Sequence, residues 1–331
     1  MQLLLLVLGL AMIIKSADIL IDSSSKIARR FGISSFIIGI TVIAFGTSAP
    51  ELAVGVISAI NHKNQLSLGN IIGSSLSNIA LIVGIAAFIM PFNVRDTVVK
   101  REMPILLGVQ MILGVMLFVD GRLSRMEGII LLLGFLGFII YVFSDAKNSI
   151  NIQFDAEGDI DTDGDGNQLS QEADTKPKNE SILKLLFFSL ISLLGLFIGG
   201  NLTVDSSTRI AQTLGLSETL IGLTVVALAT TMPELITSIM AALKKEPDIV
   251  LGNCIGSNIF NSLLVLGISS VISPIVVESR LWIDVIAMLI LTIFVLLMSL
   301  KKKKLQRGTG VFLLISYIGY ISFKVITALM G

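Results

Sequence analysis

The sequence contains one internal repeat, and this repeat restricts the possible folds more strongly than any other feature. Ser16 to Asn78 overlays without a gap on a segment 183 positions later, so that Pro50 aligns with Pro233. Shared apolar composition does not explain the overlay, because polar residues and glycines also match. The matches include Asp22 with Asp205, Glu51 with Glu234, Gly69-Asn70 with Gly252-Asn253, Gly73-Ser74 with Gly256-Ser257, and Asn78 with Asn261. We therefore predict two related halves, 1–147 and 182–331.

Long apolar runs make up most of both halves. Of 331 residues, 53% are hydrophobic and 15% are charged, whereas soluble domains carry about 25% charged residues. Runs of roughly 20 apolar residues can cross a bilayer as helices. Ten helical segments are predicted, at about 2–25, 33–60, 66–90, 103–119, 127–145, 182–205, 217–243, 249–273, 282–300 and 309–330. The predicted fold class is an all-α polytopic membrane protein.

The number of helices in each half predicts how the halves are oriented. Because five is odd, the second half enters the membrane upside down, so we expect two inverted-topology five-helix repeats. Loops after odd-numbered segments carry 17 lysines and arginines, and the other loops carry 5. By the positive-inside rule, we expect a multi-pass protein of the cell membrane with cytoplasmic odd loops and both termini external.

In each half, one apolar segment is interrupted by small hydroxyl residues, a proline and a glutamate. The interruptions are Ala44-Phe45-Gly46-Thr47-Ser48-Ala49-Pro50-Glu51 and Ala227-Leu228-Ala229-Thr230-Thr231-Met232-Pro233-Glu234. Acids inside a membrane are costly and by default functional, and a proline frees backbone carbonyls that protein, water or an ion must satisfy. Matched breaks of this kind point to a transporter's substrate site. We therefore expect Glu51 and Glu234 to face each other near the bilayer midplane.

The residue types at these breaks favour calcium as the bound ion. Two carboxylates neutralise one divalent cation, and calcium takes six to eight oxygen ligands in a flexible shell. The two glutamates, Thr47, Thr230 and the freed carbonyls can provide that number. Magnesium demands a tighter octahedron. The sequence has one histidine and one cysteine, which is too few for a zinc or copper cluster.

Two further segments, 69–78 and 252–261, carry matched small polar residues. Ser74 lies four residues before Asn78, and Ser257 lies four before Asn261. Each pair therefore lies on one helix face. We expect these faces to line the same site; the alternative is that they only hold neighbouring helices together.

The segment 148–181 is polar and acidic and is expected to form a cytoplasmic loop between the halves. Asp161, Asp163, Asp165 and Glu172 fit the D-x-D-x-D-G-x5-E pattern of an EF-hand calcium loop. However, the usual apolar eighth position is Gln168, and flanking helices are not evident from the sequence. A flexible linker and a regulatory calcium loop both remain open.

The interrupted segments resemble the alpha-repeats of the cation/calcium antiporter superfamily, and within it those of microbial sodium/calcium exchangers. The resemblance rests on "GTSAPE" and "ATTMPE" together with "GNIIGSSLSN" and "GNCIGSNIFN", and the helix pattern extends it over nearly the whole chain. It implies exchange of several sodium ions for one calcium by alternating access, with no cofactor. By motif position, it implies as ligands Ala44, Thr47, Ser48, Glu51, Ser74 and Asn78, and Ala227, Thr230, Thr231, Glu234, Ser257 and Asn261.

Three positions depart from the family pattern. Ala229-Thr230-Thr231 replaces the usual Gly-Thr-Ser, Ser75 stands where its repeat partner is Asn258, and Asn261 stands where many members carry aspartate. Without that aspartate the site has two acids instead of three, which leaves open whether sodium or protons are exchanged for calcium.

The sequence bears on several other functions. A proton/calcium exchanger that uses the same acids is the main alternative, and a cation channel is a weaker one because the symmetry lies within a single chain. No nucleophile–base pair indicates an enzyme. The net charge of zero gives no indication of a nucleic-acid partner. The expected partners are calcium, sodium and the lipid bilayer, with no obligate protein partner.

A peptide that spans 148–181 tests the calcium-loop hypothesis. If the four acids form such a loop, calcium titration shows saturable binding below millimolar concentration, because affinity in these loops comes from their acidic ligands. A peptide with Asp161→Asn and Glu172→Gln is the control and should lose that binding. Absence of saturable binding in the unaltered peptide would leave the linker interpretation alone.

Overall fold

A computed structural model of the chain describes residues 1–62, 64–158, 181–215, 225–277 and 281–330. Its helices are α1 (Gln2–Phe31), α2 (Ser35–Thr47), α3 (Ala49–Ile60), α4 (Asn64–Leu76, Ser77–Ile82 and Val83–Ile89), α5 (Val98–Glu102 and Met103–Asp120), α6 (Arg125–Gly158), α7 (Ile182–Thr213), α8 (Ala227–Thr230), α9 (Met232–Leu243), α10 (Pro247–Phe260, Asn261–Val265 and Leu266–Ile272), α11 (Trp282–Lys302) and α12 (Arg307–Met330). The four acids of the predicted calcium loop, Asp161, Asp163, Asp165 and Glu172, lie outside the described residues.

The helices confirm a polytopic helical membrane protein. Within the described ranges, 8 helices are long and apolar enough to cross a membrane, or 9 if the bent pair α2–α3 counts as one span. The predicted segment 217–243 lies partly outside those ranges, which there contain α8 and the 12-residue α9. Three helices continue past their predicted ends, since α1 reaches Phe31, α6 reaches Gly158 and α7 reaches Thr213.

Both segments that carry the acids are broken just before the proline. Helices α2 and α3 meet at Ser48 with a bend of 45°, and α8 and α9 meet at Thr231. Pro50 and Pro233 lie in the first turn of the second helix of each pair, where the missing N–H costs no hydrogen bond. The segment predicted at 33–60 is therefore two helices, as the interruption by Pro50 indicated.

Helices α4 and α10 form the centre of the molecule. In each, 78% of the apolar span is buried, against 11–39% in the other long helices. A glycine allows α10 to approach α2 closely, because a Cβ on Gly256 would lie 2.6 Å from the carbonyl oxygen of Ile40. Both central helices contain a π-helical turn, Ser77–Ile82 in α4 and Asn261–Val265 in α10. Such turns often occur at functional sites.

Four short strands join the halves on the surface. Strand β1 (Phe92–Asn93) pairs antiparallel with β4 (Lys304–Leu305), and β2 (Arg122–Leu123) pairs antiparallel with β3 (Ile275–Val276). Strand β3 begins 183 residues after β1, which is the offset of the sequence repeat. Repeat-related strands therefore belong to different sheets, and each sheet takes one strand from each half.

Helices α1 and α7 pack closely against each other. A Cβ on Gly9 would lie 3.0 Å from the carbonyl oxygen of Gly199, and a Cβ on Gly199 would lie 2.9 Å from that of Gly9. The two backbones approach this closely only because both positions are glycine.

An ionic cluster joins α1 to the end of α9. The Lys244 ammonium lies 2.6 Å from carboxylate oxygens of both Asp18 and Asp22 and 2.8 Å from the backbone oxygen of Asp18. Arg29, further along α1, lies 3.3 Å from Glu246. These contacts hold α1 against the segment between α9 and α10.

Replacing Lys244 with Met should loosen this attachment. Hydrogen bonds to charged groups contribute more than neutral ones, but partial exposure reduces the effect, so we expect a loss of about 1 kcal/mol in unfolding free energy. A fall in the melting temperature in detergent measures this loss. Lys301→Met is the control, since Lys301 has no ion pair among the described residues. Equal falls in both variants would contradict the assignment.

Candidate cation-binding site

The two repeat-related glutamates lie at the point where the broken helices meet. Glu51 is in the first turn of α3 and Glu234 is in the first turn of α9. Both side chains are 0% exposed. Gly200 of α7 connects the two breaks, because a Cβ at Gly200 would lie 3.0 Å from Pro50 Cγ and 3.3 Å from Pro233 Cγ.

Each glutamate has one hydrogen-bonded carboxylate oxygen. Ser48 Oγ donates to Glu234 Oε1 at 3.1 Å, and Ser74 Oγ donates to Glu51 Oε1 at 3.5 Å. Ser48 belongs to the first half and Glu234 to the second, so this bond crosses between the halves. No ion pair among the described residues neutralises either glutamate.

Buried oxygens without a donor surround these bonds. Among the described residues they include two repeat-related pairs: Glu51 Oε2 with Glu234 Oε2, and Asn78 Oδ1 with Asn261 Oδ1. A buried polar group left unsatisfied costs about 1–3 kcal/mol. All four atoms are acceptors, which is the chemistry that a hard cation requires. The arrangement can therefore hold a cation with oxygen ligands.

The predicted threonines are bonded across the repeat. Thr47 Oγ1 donates to Asn253 Oδ1 at 3.0 Å, and Thr230 Oγ1 donates to Asn70 Oδ1 at 3.2 Å. Thr47 corresponds to Thr230 in the repeat, and Asn70 corresponds to Asn253. The two bonds are therefore equivalent, with the threonine in one half and the asparagine in the other. Thr47 and Thr230 are both 0% exposed.

The predicted asparagines contact the partner half in different ways. Asn261 Nδ2 donates to Ser74 Oγ at 3.3 Å, and Asn78 Nδ2 donates to Asn258 Oδ1 at 2.9 Å. The Cys254 thiol donates to the backbone oxygen of Asn78 at 3.0 Å. Ser74 and Asn261 therefore lie in one cluster with Glu51, whereas the contacts of Asn78 are with Asn258 and Cys254 of α10.

The remaining predicted residues also lie at the breaks. The Ala44 carbonyl accepts from Thr47 Oγ1 at 3.3 Å, and the Ala227 carbonyl accepts from Thr231 Oγ1 at 2.8 Å. Ser257 Oγ lies 3.4 Å from Thr47 Oγ1. In the part of the chain that is described, no group of three histidine, cysteine, aspartate or glutamate side chains is suited to a metal ion.

Sequence reasoning did not assign Asn70, Asn253 and Asn258 to the site. Asn70 and Asn253 match each other in the repeat. This match was the signal that could have placed them in the site. Asn258 has Ser75 as its repeat counterpart and stood out only as a departure from the family pattern, so no repeat match marked it as a site residue. Its importance comes from the hydrogen bond across to Asn78.

The chain is similar to known proteins over nearly its whole length. Residues 1–144 and 184–326 match the family described as sodium/calcium exchanger protein. The chain belongs to the sodium/calcium exchanger family. It is 30% identical to the sodium/calcium exchanger MaX1 of Methanosarcina acetivorans over 96% of this chain and 97% of that one. It is 35% identical to inner membrane protein YrbG of Escherichia coli K12, over 96% of this chain and 95% of that one.

A solved structure shows the same fold. The sodium-calcium exchanger NCX_Mj, soaked with 2.5 mM Na⁺ and 1 mM Sr²⁺, matches with a TM-score of 0.80 and 31% identity over 97% of each chain. Family membership confirms the expected resemblance and the prediction of a sodium and calcium transporter that uses no cofactor. It also confirms that the protein is not an enzyme.

Replacing Gly200 with Val should disturb the contact between α7 and the two prolines. Proline rings cannot rotate away, so the added methyl groups are expected to cost about 1–3 kcal/mol of unfolding free energy through overpacking. Thermal melting in detergent measures this cost. Gly137→Val on α6 is the control, because a Cβ there meets nothing within 4 Å. Similar melting temperatures for the two variants would show that Gly200 is not tightly packed.

Proposed function

We propose that this protein is an antiporter that exchanges calcium for sodium by alternating access, with the ions bound between Glu51 and Glu234. The observation that carries the proposal is the pair of fully buried glutamates, each with one carboxylate oxygen that has no hydrogen-bond partner. Among the described residues, no lysine or arginine forms an ion pair with either glutamate. A bound cation would supply the missing positive charge.

The proposed ligands provide enough oxygens for calcium. They are the two carboxylates, the hydroxyls of Thr47, Thr230, Ser48, Thr231, Ser74 and Ser257, the carbonyls of Ala44 and Ala227, and the side-chain oxygens of Asn78 and Asn261. Calcium needs six to eight of these in any one state. Sodium ions would use overlapping subsets, so that calcium and sodium exclude each other.

The surface contacts support an inverted arrangement of the halves 1–147 and 182–331 around the loop 148–181. Strands β1 and β4 follow predicted odd-numbered segments, and β2 and β3 follow even-numbered ones. Because β1 pairs with β4, these two strands lie on the same side of the membrane. The same holds for β2 and β3, which also pair with each other. The ion pairs Arg95–Asp248 at 2.6 Å and Lys303–Asp96 at 2.8 Å join odd loops as well. With five spans in each half, the odd loops are cytoplasmic in this proposal.

Movement of α1 and α7 would expose the site alternately to the two sides. Their close glycine contact supports motion as one unit, and Gly200 places α7 against both breaks. An occupied site is nearly neutral, whereas an empty site carries two uncompensated negative charges, which are costly to move past an apolar barrier. This cost would couple movement to ion binding and limit leakage.

The charge of the site bears on the driving force. Two formal negative charges match one calcium or two sodium ions. Exchange of more than two sodium ions per calcium would move net charge, with each charge worth about 2.3 kcal/mol per 100 mV of membrane potential. Asn261, an amide where many family members carry an acid, is the specific observation that keeps proton/calcium exchange as a second candidate.

Calcium-45 uptake into proteoliposomes tests the proposal, with sodium and pH gradients imposed separately and the membrane potential clamped. A sodium gradient should drive uptake, and Glu51→Gln and Glu234→Gln should each reduce it to background, because half of the site charge is lost. Glu102→Gln is the control, since Glu102 is also a buried acid of a membrane helix with one unpartnered oxygen, but it lies on α5 and its other oxygen accepts from Tyr141 of α6 at 2.9 Å.

Three outcomes would change this conclusion. Uptake driven by the pH gradient alone would favour proton exchange. Full activity in either site variant would overturn the assignment of the glutamates, and uptake without any counter-ion gradient, at rates that do not saturate, would favour a channel.

A further inference from the structure

Each of two buried asparagines bonds to a threonine of the opposite half. Asn253 of α10 accepts from Thr47 of α2, and Asn70 of α4 accepts from Thr230 of α8. Asn253 is 0% exposed and Asn70 is 2% exposed. We propose that Asn70 and Asn253 are positioning residues that accept the hydroxyl hydrogen bonds of Thr230 and Thr47, so that both threonine oxygens present only lone pairs to a cation. This inference rests on the proposed function.

The orientation of the Asn253 amide follows from its other contacts. Its Nδ2 lies 3.4 Å from the backbone oxygen of Glu234 and 3.1 Å from Ser238 Oγ. A carbonyl oxygen only accepts, so the amide nitrogen must be the atom that faces Glu234. The Oδ1 atom then faces Thr47 and can only accept the hydroxyl proton.

A competing backbone carbonyl makes this assignment functional in each half, since Thr230 Oγ1 also lies 3.1 Å from the Ala227 carbonyl oxygen. A threonine hydroxyl has one proton, and the Ala44 carbonyl lies 3.3 Å from Thr47 Oγ1. That carbonyl already accepts the backbone N–H of Ser48 at 3.0 Å, which leaves it one lone pair. When the Thr47 hydroxyl donates to Asn253, the second lone pair of the Ala44 carbonyl oxygen is free for a cation. The lone pairs of Thr47 Oγ1 are then free for the cation as well.

The second half has the same threonine–amide bond with fewer supporting contacts. Asn70 Nδ2 has no partner among the described residues. The repeat explains the difference, because the position that corresponds to Ser238 is Gly55, which has no hydroxyl group. Removal of the Asn70 side-chain amide therefore deletes the bond to Thr230 and little else, which makes Asn70 the cleaner position for a test.

A double-mutant cycle in proteoliposomes tests the inference, with calcium KM and maximal uptake rate as readouts. Asn70→Leu, which is similar in shape and has no acceptor, should raise the KM for calcium about tenfold and leave the maximal rate nearly unchanged. Thr230→Val should raise KM as well. The double variant Asn70→Leu/Thr230→Val should match Thr230→Val alone, because the amide acts only through the hydroxyl.

The opposite threonine provides the matched control. In Asn70→Leu/Thr47→Val the two increases in KM should multiply, since these residues are not bonded to each other. The equivalent cycle with Asn253 and Thr47 should show the same coupling, and it replaces the first cycle if Asn70→Leu has a lowered melting temperature. Asn70→Asp keeps an acceptor oxygen for Thr230, replaces the unpartnered Nδ2 with a second oxygen and adds negative charge, which attracts a cation, so its KM should not rise.

Independent effects of Asn70→Leu and Thr230→Val, or a raised KM in Asn70→Asp, would overturn the positioning role. Failure of the proposed function is a separate result. It would appear as calcium uptake that survives Glu51→Gln, whatever the outcome of the cycles.

Discussion

Two carboxylates buried without a basic partner are the constraint on which the rest of the structure depends. An apolar core excludes isolated charges, so the fold has to surround Glu51 and Glu234 with hydroxyl, amide and carbonyl groups. The broken helices bring these groups to one level, and prolines at the start of α3 and α9 allow the breaks without a lost hydrogen bond. The small residues of α4 and α10 let the breaks approach the centre.

Many polar contacts of the candidate site are made between the halves. Ser48 bonds to Glu234, Thr47 to Asn253, Thr230 to Asn70, and Asn78 to Asn258. Neither half therefore contains a complete site. A small shift of one half against the other changes several of these bonds together, which is a suitable basis for a change in ion access.

Much of this arrangement could be predicted because the repeat duplicates the informative residues. Glu51 and Glu234 stood out as acids in apolar segments, and the matched serines and asparagines followed from the same overlay. The π turns at Ser77–Ile82 and Asn261–Val265 could not be predicted, since helices buried on all sides lack the amphipathic period that would reveal an extra residue. The bond between Asn78 and Asn258 depends on packing at a position where the repeat differs, so the sequence contained no signal for it.

The strand pairs have a consequence for how the chain acquires its fold. Each half contributes one strand to either surface sheet and completes neither sheet by itself. A half alone would expose two unpaired strand edges at its membrane surfaces, in addition to an acid that lacks its companion. A primordial single unit with this architecture would thus have required a second copy, and fusion of the two copies into one polypeptide would have made that partnership permanent.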